Sequence, residues 1–192
     1  MRKTFKQCQF EFNASEMNRF RWIDEYCTWA AFAKIALLIP MVMAVMSDEQ
    51  VFKLKIRKNL CHEKKENKIL DPVYFYSFSV TGCWQFLSGC YMIYIWRSVN
   101  RYRGIDDRKI NVVLIISVEL LSIVTLSVTI YQYFVLPSEK YIKMNSAFFY
   151  CIGYGVWSII ATGIYLKFLI SYCKQLLNYC EQKNAVMWPD EF

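Results

Sequence analysis

Apolar residues in this chain gather into four long runs, and the charged ones are pushed into the stretches between them. Residues 28 to 47, 74 to 96, 110 to 136 and 147 to 172 hold only Lys34, Glu119 and Lys167 as charged positions. Each run reaches the roughly 20 residues that a helix rising about 1.5 Å per residue needs to cross a hydrocarbon core of about 30 Å. Four such runs leave little chain for anything else. The pattern predicts an all-α protein: a four-helix transmembrane bundle (tetraspan) with short loops, its four-span membrane domain covering residues 28 to 172.

The flanking segments fit that outline. Residues 1 to 27 form a polar and aromatic arm, and the rings of "FRWIDEYCTW" at its junction with the first span suit a membrane–water interface. The first run starts too far in, behind too many charges, for a cleavable signal peptide, and is expected to act as an uncleaved anchor. Pro40 should kink the first span or mark its outer end. Residues 48 to 71 read as a solvated loop or a short amphipathic helix. Asp71 and Pro72 suit the cap and first turn of the second span. Residues 97 to 109 and 137 to 146 are short connections, and 173 to 192 is a tail.

Charge enters next. The chain carries a formal +7, but its Lys and Arg residues flank the spans, which is the usual topological signal and not a nucleic-acid footprint. The arm holds five, the 97–109 turn five and the tail two, against seven in the 48–71 loop and two in the 137–146 connection. The balance places both termini in the cytoplasm. The sequon "NAS" at Asn13 opposes this only if it is glycosylated.

The buried charges need partners. A carboxylate near mid-bilayer costs something like 2.5 to 3.5 kcal/mol on insertion scales unless it faces the bundle interior and pairs. In an up-down arrangement, Lys34 and Glu119 lie roughly 9 Å and 14 Å from the same membrane face. Gln85 lies at compatible depth on the second span. On the third, Glu119, Ser122, Thr125, Thr129 and Gln132 follow steps of three and four; on the fourth, Cys151, Gly155, Ser158 and Thr162 do the same. The reading is an interior polar cluster of Lys34, Gln85, Glu119, Ser122, Ser158 and Thr162, with Lys34 and Glu119 as its charged pair. Gly82, Gly89 and Gly155 would let neighbouring helices approach closely. Lys167 is close enough to a span end to snorkel.

The eight cysteines do not read as a disulfide scaffold. Cys83 and Cys90 are mid-span; Cys8, Cys27, Cys173 and Cys180 fall on the cytoplasmic side, where thiols stay reduced. Cys173 and Cys180 are candidates for palmitoylation. A bridge from Cys61 to Cys151 is geometrically open. The one histidine, His62, rules out multi-histidine metal sites, and no Cys-x-x-Cys or phosphate-binding loop is present. Cys61-His62-Glu63 is a poor triad, because adjacent side chains do not converge. No catalytic residue, cofactor or metal is expected.

Tetraspanins share the four-span outline but carry a Cys-Cys-Gly motif in a large second outer loop; here that loop is ten residues without cysteine. Claudin-like proteins carry a Trp and two cysteines in the first outer loop, where residues 48 to 71 hold one Cys and no Trp. The run "NSAFFYCIGYGVW" at 145–157 resembles the fourth span of the transmembrane protein 179 family over that one helix, without a defining motif. The expected function is that of a non-enzymatic structural, accessory or scaffolding membrane subunit. Its partners would be the lipid bilayer and other membrane-protein helices, or a homo-oligomer, with no nucleic acid. The alternative is a small oligomeric channel or transporter using the Lys34–Glu119–Gln85 interior.

Overall fold

Pro40 has no amide hydrogen to offer the carbonyl of Ala36, and its ring crowds that carbonyl, so a helix running through it breaks just upstream. The break falls at Leu37. In the computed structural model, which describes residues 5–59, 69–70, 72–100, 112–135, 141–142 and 145–187, helix α2 (Met17–Ala36) ends before Leu37 and helix α3 (Leu38–Asn59) begins after it. The Leu37 amide still donates to Ala33 O at 2.9 Å, so α2 and α3 form one rod with a single-residue interruption. Helix α1 (Phe5–Ser15) precedes them through Glu16.

The remaining rods are α4 (Pro72–Asn100), α5 (Val112–Val135) and α6 (Asn145–Met187). Pro72 opens α4, where its missing amide hydrogen leaves no bond unmade. Asp71, expected to cap that turn, lies outside the described residues. Two short connections meet at one end of the molecule, where β1 (Ile69–Leu70) pairs in parallel with β2 (Tyr141–Ile142). Among the described residues the architecture is otherwise entirely helical.

Helix α2 packs on α4, α4 on α5, α5 on α6, and α6 back on α3, so the rods close into a ring. Two apolar clusters fill it. One joins Ile23, Cys27 and Ala31 of α2 to Met92 and Trp96 of α4 and to Tyr165, Leu169 and Tyr172 of α6. The other joins Met41 and Val45 of α3 to Phe78, Leu126, Phe148 and Tyr154. Between these clusters lie the buried polar side chains described below. The helix ends are tied across the bundle: Asp48 of α3 accepts from the Ala147 amide at 3.0 Å, capping α6, and Trp96 Nε1 donates to Asp24 Oδ1 at 2.6 Å.

Among the described residues, three helical stretches are long and apolar enough to cross a membrane: Met17–Asp48, Val113–Val135 and Asn145–Lys183. Their outward faces carry exposed Trp29, Ile39, Met43, Leu120, Val124, Phe134 and Ile160. Helix α4 has the length, at 29 residues, but Thr81, Gln85 and Ser88 dilute its middle. Helices also run past the expected boundaries. Helix α2 starts inside the arm, α3 continues into the 48–71 segment, and α6 occupies most of the tail.

Gly89 marks the closest approach of two rods. A Cβ placed there would stand 2.7 Å from Ile35 Cγ1 and 3.3 Å from the Ala31 carbonyl oxygen, whereas one on Gly163 would meet nothing within 4 Å. Gly89→Ala is therefore expected to destabilise the bundle by about 1–3 kcal/mol through overpacking. Gly163→Ala, relieved of glycine's backbone entropy in a helix, should be neutral or stabilising by up to about 1 kcal/mol. Thermal unfolding of the two variants in detergent, which should shift Tm in opposite senses, measures the difference.

Candidate functional site

The polar interior is built in two layers, one helical turn apart. Helical steps set this spacing: Gln85 and Ser88 on α4 and Glu119 and Ser122 on α5 are three residues apart, and Ser158 and Thr162 on α6 are four. Because α5 runs antiparallel to α4 and α6, Glu119 sits level with Ser88 and Thr162, and Ser122 sits level with Gln85 and Ser158.

The first layer centres on Lys34. Its ammonium group is buried, with the residue 1% exposed, and an ammonium has three hydrogens to place. It donates to Glu119 Oε1, to Thr162 Oγ1 at 2.8 Å and to Ser88 Oγ at 2.9 Å. The two hydroxyls, having accepted from Lys34, lie within donating distance of the same carboxylate oxygen, Thr162 at 3.2 Å and Ser88 at 3.3 Å. Four rods thus share one neutralised charge pair. Glu119 Oε2 is buried without a partner.

The second layer is neutral. Gln85, fully buried, donates through Nε2 to Ser122 Oγ at 2.8 Å and accepts at Oε1 from Ser158 Oγ at 2.7 Å. Ser122 returns its own hydrogen to Val118 O one turn back, at 3.0 Å. The amide therefore ties α5 to α6 from α4.

A further tie reaches the break in the first rod. Tyr154 OH donates to Lys34 O at 2.5 Å and Tyr150 OH to Leu37 O at 3.0 Å. These carbonyls lie where the helical ladder is interrupted, and two tyrosines one turn apart on α6 supply donors to them. The backbone that carries Lys34 is thereby held as firmly as its side chain.

All six side chains expected in the polar cluster are buried here and linked in these two layers. Of the glycines, Gly89 faces α2, Gly82 faces Met41 of α3 and Gly155 faces Leu126 of α5. Ser88, Tyr150 and Tyr154 are the members that sequence reasoning did not single out. Ser88 follows Gln85 by one helical step, which was a usable signal; the tyrosines had none, because a Tyr in an apolar span reads equally well as an interfacial ring.

Other expected positions fall elsewhere. Lys167 is exposed on α6. Cys173 is half-buried, and Cys180 is buried against α1 and so is withdrawn from the surface an acyl group would need. Cys151 is a free thiol in the core, while Cys61, His62 and Glu63 lie outside the described residues. Asn13 is 9% exposed and its Oδ1 accepts from Tyr172 OH at 2.8 Å, a position with no room for a glycan in the folded chain. Among the described residues no three His, Cys, Asp or Glu side chains converge as a metal site. The chain matches no protein-family model, no curated protein and no solved structure.

Breaking a buried pair on one side strands the other charge, which costs about 3–5 kcal/mol. Lys34→Met leaves Glu119 with two hydroxyls, and Glu119→Gln leaves Lys34 with no counter-charge. Each is expected to lower stability in detergent by that order. The double substitution should recover at least about 1–2 kcal/mol relative to the sum, the signature of contacting residues. Strict additivity in the four-way comparison of Tm would contradict the pairing.

Proposed function

We propose that this chain is a non-enzymatic integral membrane protein with four spans, acting as a structural, accessory or scaffolding subunit through helix–helix assembly in the bilayer. One observation carries the reading: the buried ammonium is fully paired within the chain. Lys34 spends all three of its donors inside the chain, on Glu119, Ser88 and Thr162. An interior used up in this way fixes helix register and partner choice, the best-attested role of buried polar groups. What the molecule offers outward is apolar helix surface.

Membership of α4 among the spans is supported by its position. It lies between α2 and α5, and the loop before it pairs with the loop before α6, as an up-down bundle requires. The basic 97–109 turn favours placing both termini in the cytoplasm, and the buried Asn13 removes the one feature pointing the other way. A second reading, a small oligomeric channel or transporter, draws on Glu119 Oε2, a buried carboxylate oxygen without a partner and therefore a place for a proton or a cation.

Two experiments separate these readings. Reporter glycosylation sites introduced singly near residues 64 and 104 should be modified at the first position only, since glycans are added on the luminal side alone; modification of both or of neither would remove α4 from the spans. Liposomes containing the purified chain should show proton and potassium leak no faster than empty vesicles, while cross-linking in intact membranes captures the chain in complexes larger than its 22.9 kDa. A leak that Glu119→Gln abolishes in a still-folded protein would establish the transport reading instead.

A further inference from the structure

Helix α6 is 43 residues long, about 65 Å, roughly twice what a hydrocarbon core requires. Its last turns therefore extend past the bundle on the side of the chain termini. There α1 lies against it. Gln9 Nε2 donates to Val99 O at 2.7 Å and to Tyr172 OH at 3.3 Å, Tyr172 OH donates to Asn13, and Phe12 packs its ring 5.5 Å from that of Tyr179. One turn before Phe12 stands Cys8, and beside Tyr179 stands Cys180. Both are free and both are buried in the same apolar cluster, where the α1–α6 contact brings them near one another. The two residues come from opposite ends of the chain.

We propose that Cys8 and Cys180 form a redox latch that fastens the N-terminal helix α1 to the C-terminal extension of α6. The packing explains why the latch would respond selectively. Buried thiols are inert while α1 is docked. An isolated helix of 11 residues is marginal in water, so α1 depends on its few contacts with α6 and opens locally more readily than the rods of the bundle. When it lifts, either thiol is reachable by a small dissolved disulfide. The thiolate attacks one sulfur, forming a mixed disulfide and releasing one small thiol; the other cysteine then attacks the protein sulfur and releases the second thiol. The protein loses two protons and two electrons, and the small disulfide is reduced to two thiols. Closing this bond locks α1 down, and reduction frees it again; on the cytoplasmic side the resting thiols are reduced, so the bond closes only under an oxidising shift.

The latch is tested on the purified full chain in lipid nanodiscs, equilibrated with mixtures of reduced and oxidised glutathione. Peptide mapping is expected to find one Cys8–Cys180 linkage within a single chain, appearing as the oxidised fraction rises and lost in Cys8→Ser and Cys180→Ser. Cys173, the nearest other thiol on α6, should remain free. Amide exchange in α1 should slow by roughly tenfold or more on oxidation, while exchange in α5 stays unchanged. Both serine variants should keep the wild-type α5 exchange, which shows that the bundle has folded. No linked peptide at any ratio, pairing of either cysteine with Cys173 or with a second chain, or unchanged α1 exchange in the linked protein would each overturn the proposal.

Discussion

An ammonium group with no water around it needs acceptors for three hydrogens and a neutralising charge, and the arrangement of the whole bundle follows from how Lys34 obtains them. Its partners come one from each of three other rods: Ser88 from α4, Glu119 from α5 and Thr162 from α6. No two helices could satisfy it alone. Sliding any rod by one residue along its axis would turn its contribution away from the centre, leaving a charge or a hydroxyl unpaired in surroundings where that is costly. The apolar contacts around this centre are tolerant of small shifts; the hydrogen bonds are not. Register is therefore a property of the polar layers and stability largely a property of the apolar clusters on either side of them.

Helix α6 is the element on which these roles converge. Its buried face carries Tyr150, Tyr154, Ser158, Thr162, Tyr165, Leu169 and Tyr172 in steps of three and four. Along that stripe it supports the break at Leu37, contributes to both polar layers, donates to Met92 O through Tyr165, and receives α1 at its far end. Tyrosine suits this work: its ring packs among apolar side chains while its hydroxyl reaches an acceptor on a neighbouring helix. The same molecule that is sealed at its centre is thus more loosely fastened at its termini, where contacts are fewer and the α1 helix is short.

On the reading proposed above, the outward helix faces are the surfaces that meet lipid and neighbouring helices. The Lys34–Glu119 pair and the Gln85 amide are turned inward, and the outward faces of α5 and α6 present Leu120, Val124, Phe134, Val156 and Ile160. In a bilayer such faces gain nothing from hydrophobic burial against another helix, so selective association would rest on close packing and on the few groups at the ends.

Much of this was legible in the sequence because it follows from rules of period and charge. Four apolar runs, a break near Pro40, an inward stripe on the third and fourth runs, and the shared depth of Lys34 and Glu119 all come from counting along a helix at 1.5 Å and 100° per residue. What counting could not supply was anything depending on how helices face one another. Ser88 is one of several serines until α2 is placed beside α4; Tyr154 is an apolar-span aromatic until Lys34 O is seen within its reach; α1 and the end of α6 read as separate arm and tail until Gln9, Phe12 and Cys8 are found packed on Tyr172, Tyr179 and Cys180. Which residues must be hidden follows from composition and period along the chain, since the cost of exposing or stranding a group belongs to the residue. Who satisfies whom emerges from the packing of the rods, because it depends on distances between segments that no periodicity along a single helix encodes.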